Sequence, residues 1–485
     1  MDKWKSRGVK FMDLNEFNNL FQKISDRVDA SIVFNDFLNY CLQILEGKEV
    51  HFNYEYTDKE VEVFQNLFTY WQEITKDKIE SDGYFDFFGT YYEEYILASN
   101  KASNKGQFYS PTEVCDLMAY AVPQNKKTVY DPACGSGRMV LSYYSINHNF
   151  KFIGEDLDEM SCKMCVLNMY AHMITGAVNW INTLTREHYK TFIIEEEMIT
   201  ETDTSYSLDY DLVLANPPYG VKWPGTKNYL QDVRFKEYKK LAPKSKADYA
   251  FIQHTLHYLE VNGQANILMP HGVLFRGASE GAIREYIVNH NWLDAVIGLP
   301  SNMFIGTSIP TCLLIFKKHR ETEDILFIDA SEEFVKENKI NIIPPSSRDK
   351  IIKTYHDRSS IHKFSFSADL SFIQENDYNL NIPRYVDTFE EEPLVDLNQV
   401  VRELELNYVE EMKTDKLIKS YCDELGILSP TPELNTKTVQ EDPFIREAKE
   451  IVKTLPNTVI DNPIPKPEVN KKNIDFSQST LGDFL

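Results

Sequence analysis

The sequence predicts an α/β fold: a doubly wound domain with a mostly parallel sheet, preceded by a helical N-terminal domain and followed by a helical C-terminal region. Three observations lead there. Short β-branched and aromatic runs alternate with helical stretches between residues 101 and 330. One such run feeds a glycine turn that opens a helix, and another feeds Asn216-Pro217-Pro218-Tyr219. Residues 1–100, by contrast, repeat apolar side chains at helical spacing, as in 34–40 and 60–74, with few strand signals.

Taken in order, the strand-like runs are 128–130, 151–154, 211–215, 265–269, 293–299, 311–316 and 325–328. Helices fall between them, including 112–121 and 247–259, the second expected to stop at Asn262-Gly263. Domains are therefore expected over 1–100, 101–330 and 331–427, with 394–427 helical in pattern. From 428 to 485 a linker or tail is expected, because prolines at 430, 432, 443, 456, 463, 465 and 467 break most helices. No apolar run reaches the roughly 18 residues of a membrane span, and no signal-like apolar stretch follows Met1, so a cytoplasmic protein is expected. Seven scattered cysteines suit reduced thiols. Cys162-x-x-Cys165 lacks a second ligand pair, so no metal site is expected. The absence of a Gly-x-x-x-x-Gly-Lys loop argues against ATP hydrolysis.

The chemistry is concentrated where strands end. Asn216-Pro217-Pro218-Tyr219 suits a conjugated amino group, whose lone pair is delocalised and whose two N–H bonds need acceptors before the nitrogen can attack a methyl donor. The Asn216 side chain and the Pro217 carbonyl offer those acceptors, the second held rigidly by fixed φ angles. Tyr219 offers a flat face for an extruded base. Upstream, Asp131-Pro132-Ala133-Cys134-Gly135-Ser136-Gly137 follows the run 128–130 and opens a helical pattern. Strand, glycine turn and helix make a nucleotide-type site, with Gly135 and Gly137 permitting close backbone approach and the helix start presenting N–H groups. Asp156, beside Glu155 at the end of the next run, stands where a ribose hydroxyl pair is held.

On these motifs the chain resembles the modification subunit of type I restriction-modification systems, gamma-class adenine-N6 DNA methyltransferases, over roughly residues 80 to 400. Further resemblance lies in Lys105-Gly106-Gln107-Phe108-Tyr109-Ser110-Pro111-Thr112, in 247–251, 269–275 and 298–310, and in 376–385. The resemblance implies a Rossmann-like S-adenosylmethionine-dependent methyltransferase domain. It implies that Gln107 to Thr112 wrap the cofactor's methionine end, that Asp131, Gly135, Ser136, Gly137, Asp156 and Asn216 also contact the cofactor, and that Phe304 is the second face of a base-stacking sandwich. It puts Asn182 where relatives often carry an Asp that accepts from the cofactor's adenine amine; an Asn carbonyl can still accept. The implied partners are double-stranded DNA with a flipped adenine and a separate specificity subunit, leaving room for a second copy of the chain and a restriction subunit. A solitary DNA methyltransferase and a glutamine or RNA methyltransferase are the alternatives.

Charge points the same way. With 51 basic and 74 acidic residues the formal net charge is −23, unlike a protein that neutralises many phosphates alone. Two basic stretches stand out, 234–246 and Lys126-Lys127; the first follows the catalytic tetrapeptide, although a solvated helix face explains it equally well.

Overall fold

The computed structural model describes residues 14–97, 110–195, 198–304, 307–338, 340–388 and 397–430. The chain opens with α1 (Leu14–Ser25), α2 (Ala30–Leu45), α3 (Asp58–Asp82), α4 (Phe87–Tyr91) and a π-helical turn, Tyr92–Leu97. There follow α5 (Thr112–Tyr120), β1 (Thr128–Asp131), α6 (Arg138–Tyr144), β2 (Lys151–Asp156), α7 (Glu159–Ala171), β3 (Thr175–Asn182), β4 (Glu187–Glu195), β5 (Met198–Thr202) and β6 (Tyr210–Ala215). The later elements are α8 (Asp248–Tyr258), β7 (Leu259–Pro270), α9 (Ala278–Asn289), β8 (Leu293–Gly298), β9 (Thr311–Lys317), β10 (Ile325–Asp329), β11 (Val335–Glu337), β12 (Ile340–Ile342), α10 (Pro345–Asp357), β13 (Ser365–Ala368), α11 (Leu370–Glu375) and α12 (Leu397–Leu425).

Eleven strands form one sheet in the order β13-β10-β8-β9-β7-β6-β1-β2-β3-β4-β5. Its centre, β7-β6-β1-β2-β3, is parallel throughout, and antiparallel pairs occur only towards the two flanks. The chain steps outward from β1 to β2 and β3, then returns to place β6 on the other side of β1. This reversal is the switch point at which open α/β sheets bind ligands, beyond the carboxyl ends of the strands. Side chains alternate between faces as strand geometry demands. Val129, Phe152, Val178 and Leu212 enter one core with α1–α3 and α5–α7, whereas Tyr130, Ile153, Ala177 and Val213 enter the other with α8 and α9.

Local chemistry explains the helices that matter for the site. In α3 a capping box closes the first turn, Thr57 Oγ1 accepting from the Glu60 N–H while Glu60 Oε2 accepts from the Thr57 N–H at 2.8 Å. Asp158 caps α7 by accepting from the Ser161 N–H at 2.9 Å.

Several expectations about boundaries are corrected. The helical N-terminal region shares one continuous core with a face of the sheet, so the described residues through Thr388 form one compact unit. The sheet also continues past 330, since β13 pairs antiparallel with β10. Helix α8 ends at Tyr258, and Asn262-Gly263 lies inside β7 rather than terminating a helix; the β6–β7 register shifts there to absorb the extra residues. Strands β3, β4 and β5 were not anticipated. The second unit spans Phe389–Leu485, and its described part is dominated by α12, which matches the expected 394–427 helix to within three residues. Among the described residues no helix is long and apolar enough to cross a membrane.

Candidate active site

Four adjacent parallel strands end in the predicted residues: β6 before Asn216, β1 at Asp131, β2 at Asp156 and β3 at Asn182. A cleft of about 510 Å³ opens over these ends, lined by Ser110, Asp131, Gly135, Ser136, Asp156, Asn182 and all of Asn216-Pro217-Pro218-Tyr219. Residues as far apart in sequence as Asp131 and Asn216 are thus gathered by strand order.

The glycine turn has the backbone its sequence requires. Gly135 and Gly137 have φ of +52° and +88°, in the left-handed region, and a Cβ at Gly137 would lie 2.9 Å from Cys165 Sγ. Beside Gly135 there is open space for a ligand. Asp156 holds the turn from below: its Oδ2 accepts from the Gly135 N–H and its Oδ1 from the Asp158 N–H, both at 2.9 Å. Each oxygen keeps a further lone pair for a hydroxyl. Burial pushes the Asp156 carboxyl up to about 6, against the pull of those backbone donors. Burial pushes Asp131 further, to about 8, although its Oδ1 accepts from the Ala133 N–H. Neighbouring Glu155 takes no part, being buried in an ion pair with Arg186 at 2.7 Å.

The N-terminal helices reach into this turn, a feature no motif announced. Asp86, 4% exposed at the start of α4, accepts from the Gly89 N–H, from Asn168 Nδ2, from Ser136 Oγ at 2.7 Å and from Arg138 Nε at 2.8 Å. Arg138 also donates to the Ser110 carbonyl at 2.9 Å and to Glu93 in the π-helical turn at 2.6 Å. One guanidinium therefore ties the glycine turn, the start of α5 and the N-terminal helices together. Sequence offered one faint signal for it, a basic residue directly after Gly137.

At the other end of the cleft, Asn216 Nδ2 donates to Ser110 Oγ at 2.8 Å and Asn216 Oδ1 accepts from the Tyr219 hydroxyl at 2.5 Å. Burial holds the Tyr219 phenol well above its ordinary pKa, so it remains a donor. Asp248 fixes the turn that follows, accepting from the Gly220 N–H at 2.7 Å and pairing with Arg276. That gives a physical role to the segment 247–251, whose Phe251 also lines the cleft.

The chain matches the family described as N-6 DNA Methylase over residues 84–393. The chain belongs to that family. It is similar to the methylase subunit of type I restriction enzyme MpnII from Mycoplasma pneumoniae, with 35% identity over 352 residues, 69% of this chain and 63% of that protein. The MjaVIII methylase subunit from Methanocaldococcus jannaschii is 31% identical over 71% of the chain and 61% of its own length. The chain thus spans about three fifths of these curated relatives. A crystal structure of the type I restriction-modification methyltransferase subunit from Streptococcus thermophilus superposes with a TM-score of 0.58 and 31% identity, covering 78% of this chain and 86% of that one.

Within this family member, some predicted residues stand differently from expectation. Phe304 packs edge-on to Tyr219, with centroids 6.4 Å apart and planes at 83°, so the two rings do not form a parallel sandwich in this conformation. The Asn182 oxygen, expected to face a cofactor amine, accepts from the Leu184 and Thr185 N–H groups at 3.2 and 3.1 Å, capping the turn after β3. Pro111 and Thr112 open α5 and are not among the lining residues, while Gln107, Phe108 and Tyr109 lie outside the described residues. Cys162 and Cys165 are buried within α7.

Proposed function

We propose that the chain transfers a methyl group from S-adenosylmethionine to the N6 amino group of adenine in double-stranded DNA, as the modification subunit of a type I restriction-modification complex whose specificity subunit reads the sequence. The observation that carries this reading is the opening of the glycine turn and Asn216-Pro217-Pro218-Tyr219 into one cleft at the carboxyl ends of neighbouring strands.

The cleft suits the cofactor: open space beside Gly135 admits a ligand against the backbone, Asp156 has acceptor capacity for ribose hydroxyls, and Asp131 offers a carboxyl to a cationic group. When bound, the cofactor supplies an already activated sulfonium methyl. The chain's residues then contribute orientation and charge stabilisation. Asn216 Oδ1 takes one amine N–H and the Pro217 carbonyl the other, which returns the nitrogen lone pair to the reaction axis. Tyr219 stacks on the extruded base after releasing Asn216. The net charge of −23 supports delegating most DNA affinity to a partner. In α12, Leu417, Tyr421 and Leu425 are exposed four residues apart, an apolar stripe suited to such a partner.

The test is single-molecule sequencing of unmethylated plasmid treated with S-adenosylmethionine and either the chain alone or the chain co-purified with its specificity partner. N6-methyladenine at defined sites only in the second reaction is expected. Site-specific methylation by the chain alone would replace the subunit assignment with a solitary enzyme, and failure of both, in protein that binds the cofactor, would overturn the activity.

A further inference from the structure

The segment directly after Tyr219 reverses the charge of the rest of the molecule. Between residues 222 and 246 lie seven lysines, all exposed, in a chain whose net charge is −23. The acids of the segment are Glu237 and Asp232, and Asp232 is bound by Arg234. The segment is not the solvated helix face that composition allowed: it is a loop with short 3₁₀ turns at Lys227–Gln231 and Lys236–Tyr238. Its shape is set from inside. Trp223, Tyr229 and Phe235 pack together with ring centroids 5.2 to 6.0 Å apart, and the Trp223 indole donates to the Pro243 carbonyl. Arg234, 3% exposed, donates to the Thr183 and Leu184 carbonyls and so pins the loop to the turn after β3. Arg234 is thus a structural cation, separate from the lysine surface.

Backbone pairing then brings the chain at Lys222 alongside the chain at Lys244 and Lys246. The Trp223 N–H donates to the Lys244 carbonyl at 3.0 Å and the Ala247 N–H to the Val221 carbonyl at 2.9 Å, which sets Lys222 against Lys244 and Lys246. Lys222 itself lines the cleft beside Tyr219. The other basic pair, Lys126-Lys127, precedes β1 and lies at the opposite ends of the strands, away from the cleft.

We infer that Lys222, Lys244 and Lys246 form a phosphate-binding rail on this chain, holding the backbone of the target strand next to the base drawn into the cleft. This rests on the proposed DNA methylation and adds to it a DNA contact that the chain makes itself. The rail carries no sequence information, because lysine ammonium groups meet phosphates as point charges. It holds the strand where Tyr219 and Asn216 can reach one nucleotide, while the acidic remainder repels duplex from the rest of the surface.

The experiment measures binding of the purified chain to a fluorescein-labelled 30-base-pair duplex carrying one adenine opposite an abasic site, from 50 to 200 mM salt. The double variant Lys244→Glu/Lys246→Glu is compared with Lys59→Glu/Lys76→Glu, which makes the same change of charge on exposed lysines of α3. Each lost phosphate contact lowers the salt slope by about 0.9, so the parent should lose about 12-fold more affinity over that range than the Lys244/Lys246 variant. The α3 variant should keep the parental slope. Lys222→Gln should remove about half as much as the double variant. Equal slopes in all proteins, equal loss in the α3 variant, or no duplex binding by the parent would overturn the rail. Calorimetric binding of S-adenosylmethionine to each protein reports folding, and its absence from the parent would instead overturn the proposed activity.

Discussion

The two ends of the cleft are built on opposite terms. At the glycine turn the polar groups are engaged by the fold: Asp86 receives four donors, Asp156 two, and Arg138 spans three segments. At Asn216 the polar groups are engaged by each other, Tyr219 occupying the acceptor that the proposed reaction would offer to an amine. A buried, satisfied network is rigid and needs no rearrangement when a ligand arrives. A pair whose members satisfy one another must exchange partners before either can bind a ligand. Cofactor binding should therefore behave as entry into a preformed site, and base capture as a conformational step that opens Tyr219.

The largest expected effect tests the rigid end. Arg138→Ala leaves the Asp86 carboxylate buried without its cation, which costs about 3–5 kcal/mol of stability, measured as a lowered urea midpoint. Arg138→Lys should recover part of this loss, and a midpoint unchanged by either substitution would mean that the network is not what stiffens the turn. Next, Asn216→Ala should lower methyl transfer by about 10²–10³-fold, the scale for one preorganised polar contact, while S-adenosylmethionine binding by calorimetry stays near parental. Loss of both together would show that the two ends are not separable. Tyr219→Ala should weaken capture of an extrahelical adenine by about 1–3 kcal/mol, the range for a base stacked on an aromatic ring. Tyr219→Phe sharpens the comparison: it keeps the ring and removes the bond to Asn216, so capture should stay the same or tighten by up to about 1 kcal/mol. A loss as large as that of the alanine variant would make the hydroxyl part of the base site.

The smallest signal is a proton. Burial sets Asp131 at about 8, so at pH 7 the ligand-free carboxyl is mostly protonated. A bound cationic group favours the ionised form and lowers that value, so cofactor binding at pH 7 should release up to about one proton. The release should fade as pH rises past 8 and the carboxyl ionises beforehand. Calorimetry in buffers of different ionisation enthalpy measures it, and Asp131→Asn should abolish it.

What sequence made legible was local. Gly135 and Gly137 can be read because a tight turn with positive φ leaves few alternatives, and Asn216-Pro217-Pro218-Tyr219 because both prolines restrict the backbone around one amide. Strands β1, β2 and β6 could be read as short β-rich runs bounded by turns. β3 could not, since Thr175-Gly176-Ala177-Val178-Asn179-Trp180 mixes strand formers with a glycine, and it is stabilised by pairing with β2 and β4. Arg138 and Asp86 were invisible for another reason: an ion pair joining residues 52 positions apart has no periodicity to betray it.

By itself the sequence determined the chemical groups of this protein and the turns that present them, because backbone restriction at glycine and proline acts over a few residues. The tertiary structure decided which of those groups meet. Strand order placed Asn216 beside Asp131 and sent Lys126-Lys127 to the far side of the sheet. It also buried Arg234 as a brace while leaving Lys244 and Lys246 in solvent. Those outcomes depend on packing across the whole sheet, where a charge is sorted by the space and partners it finds.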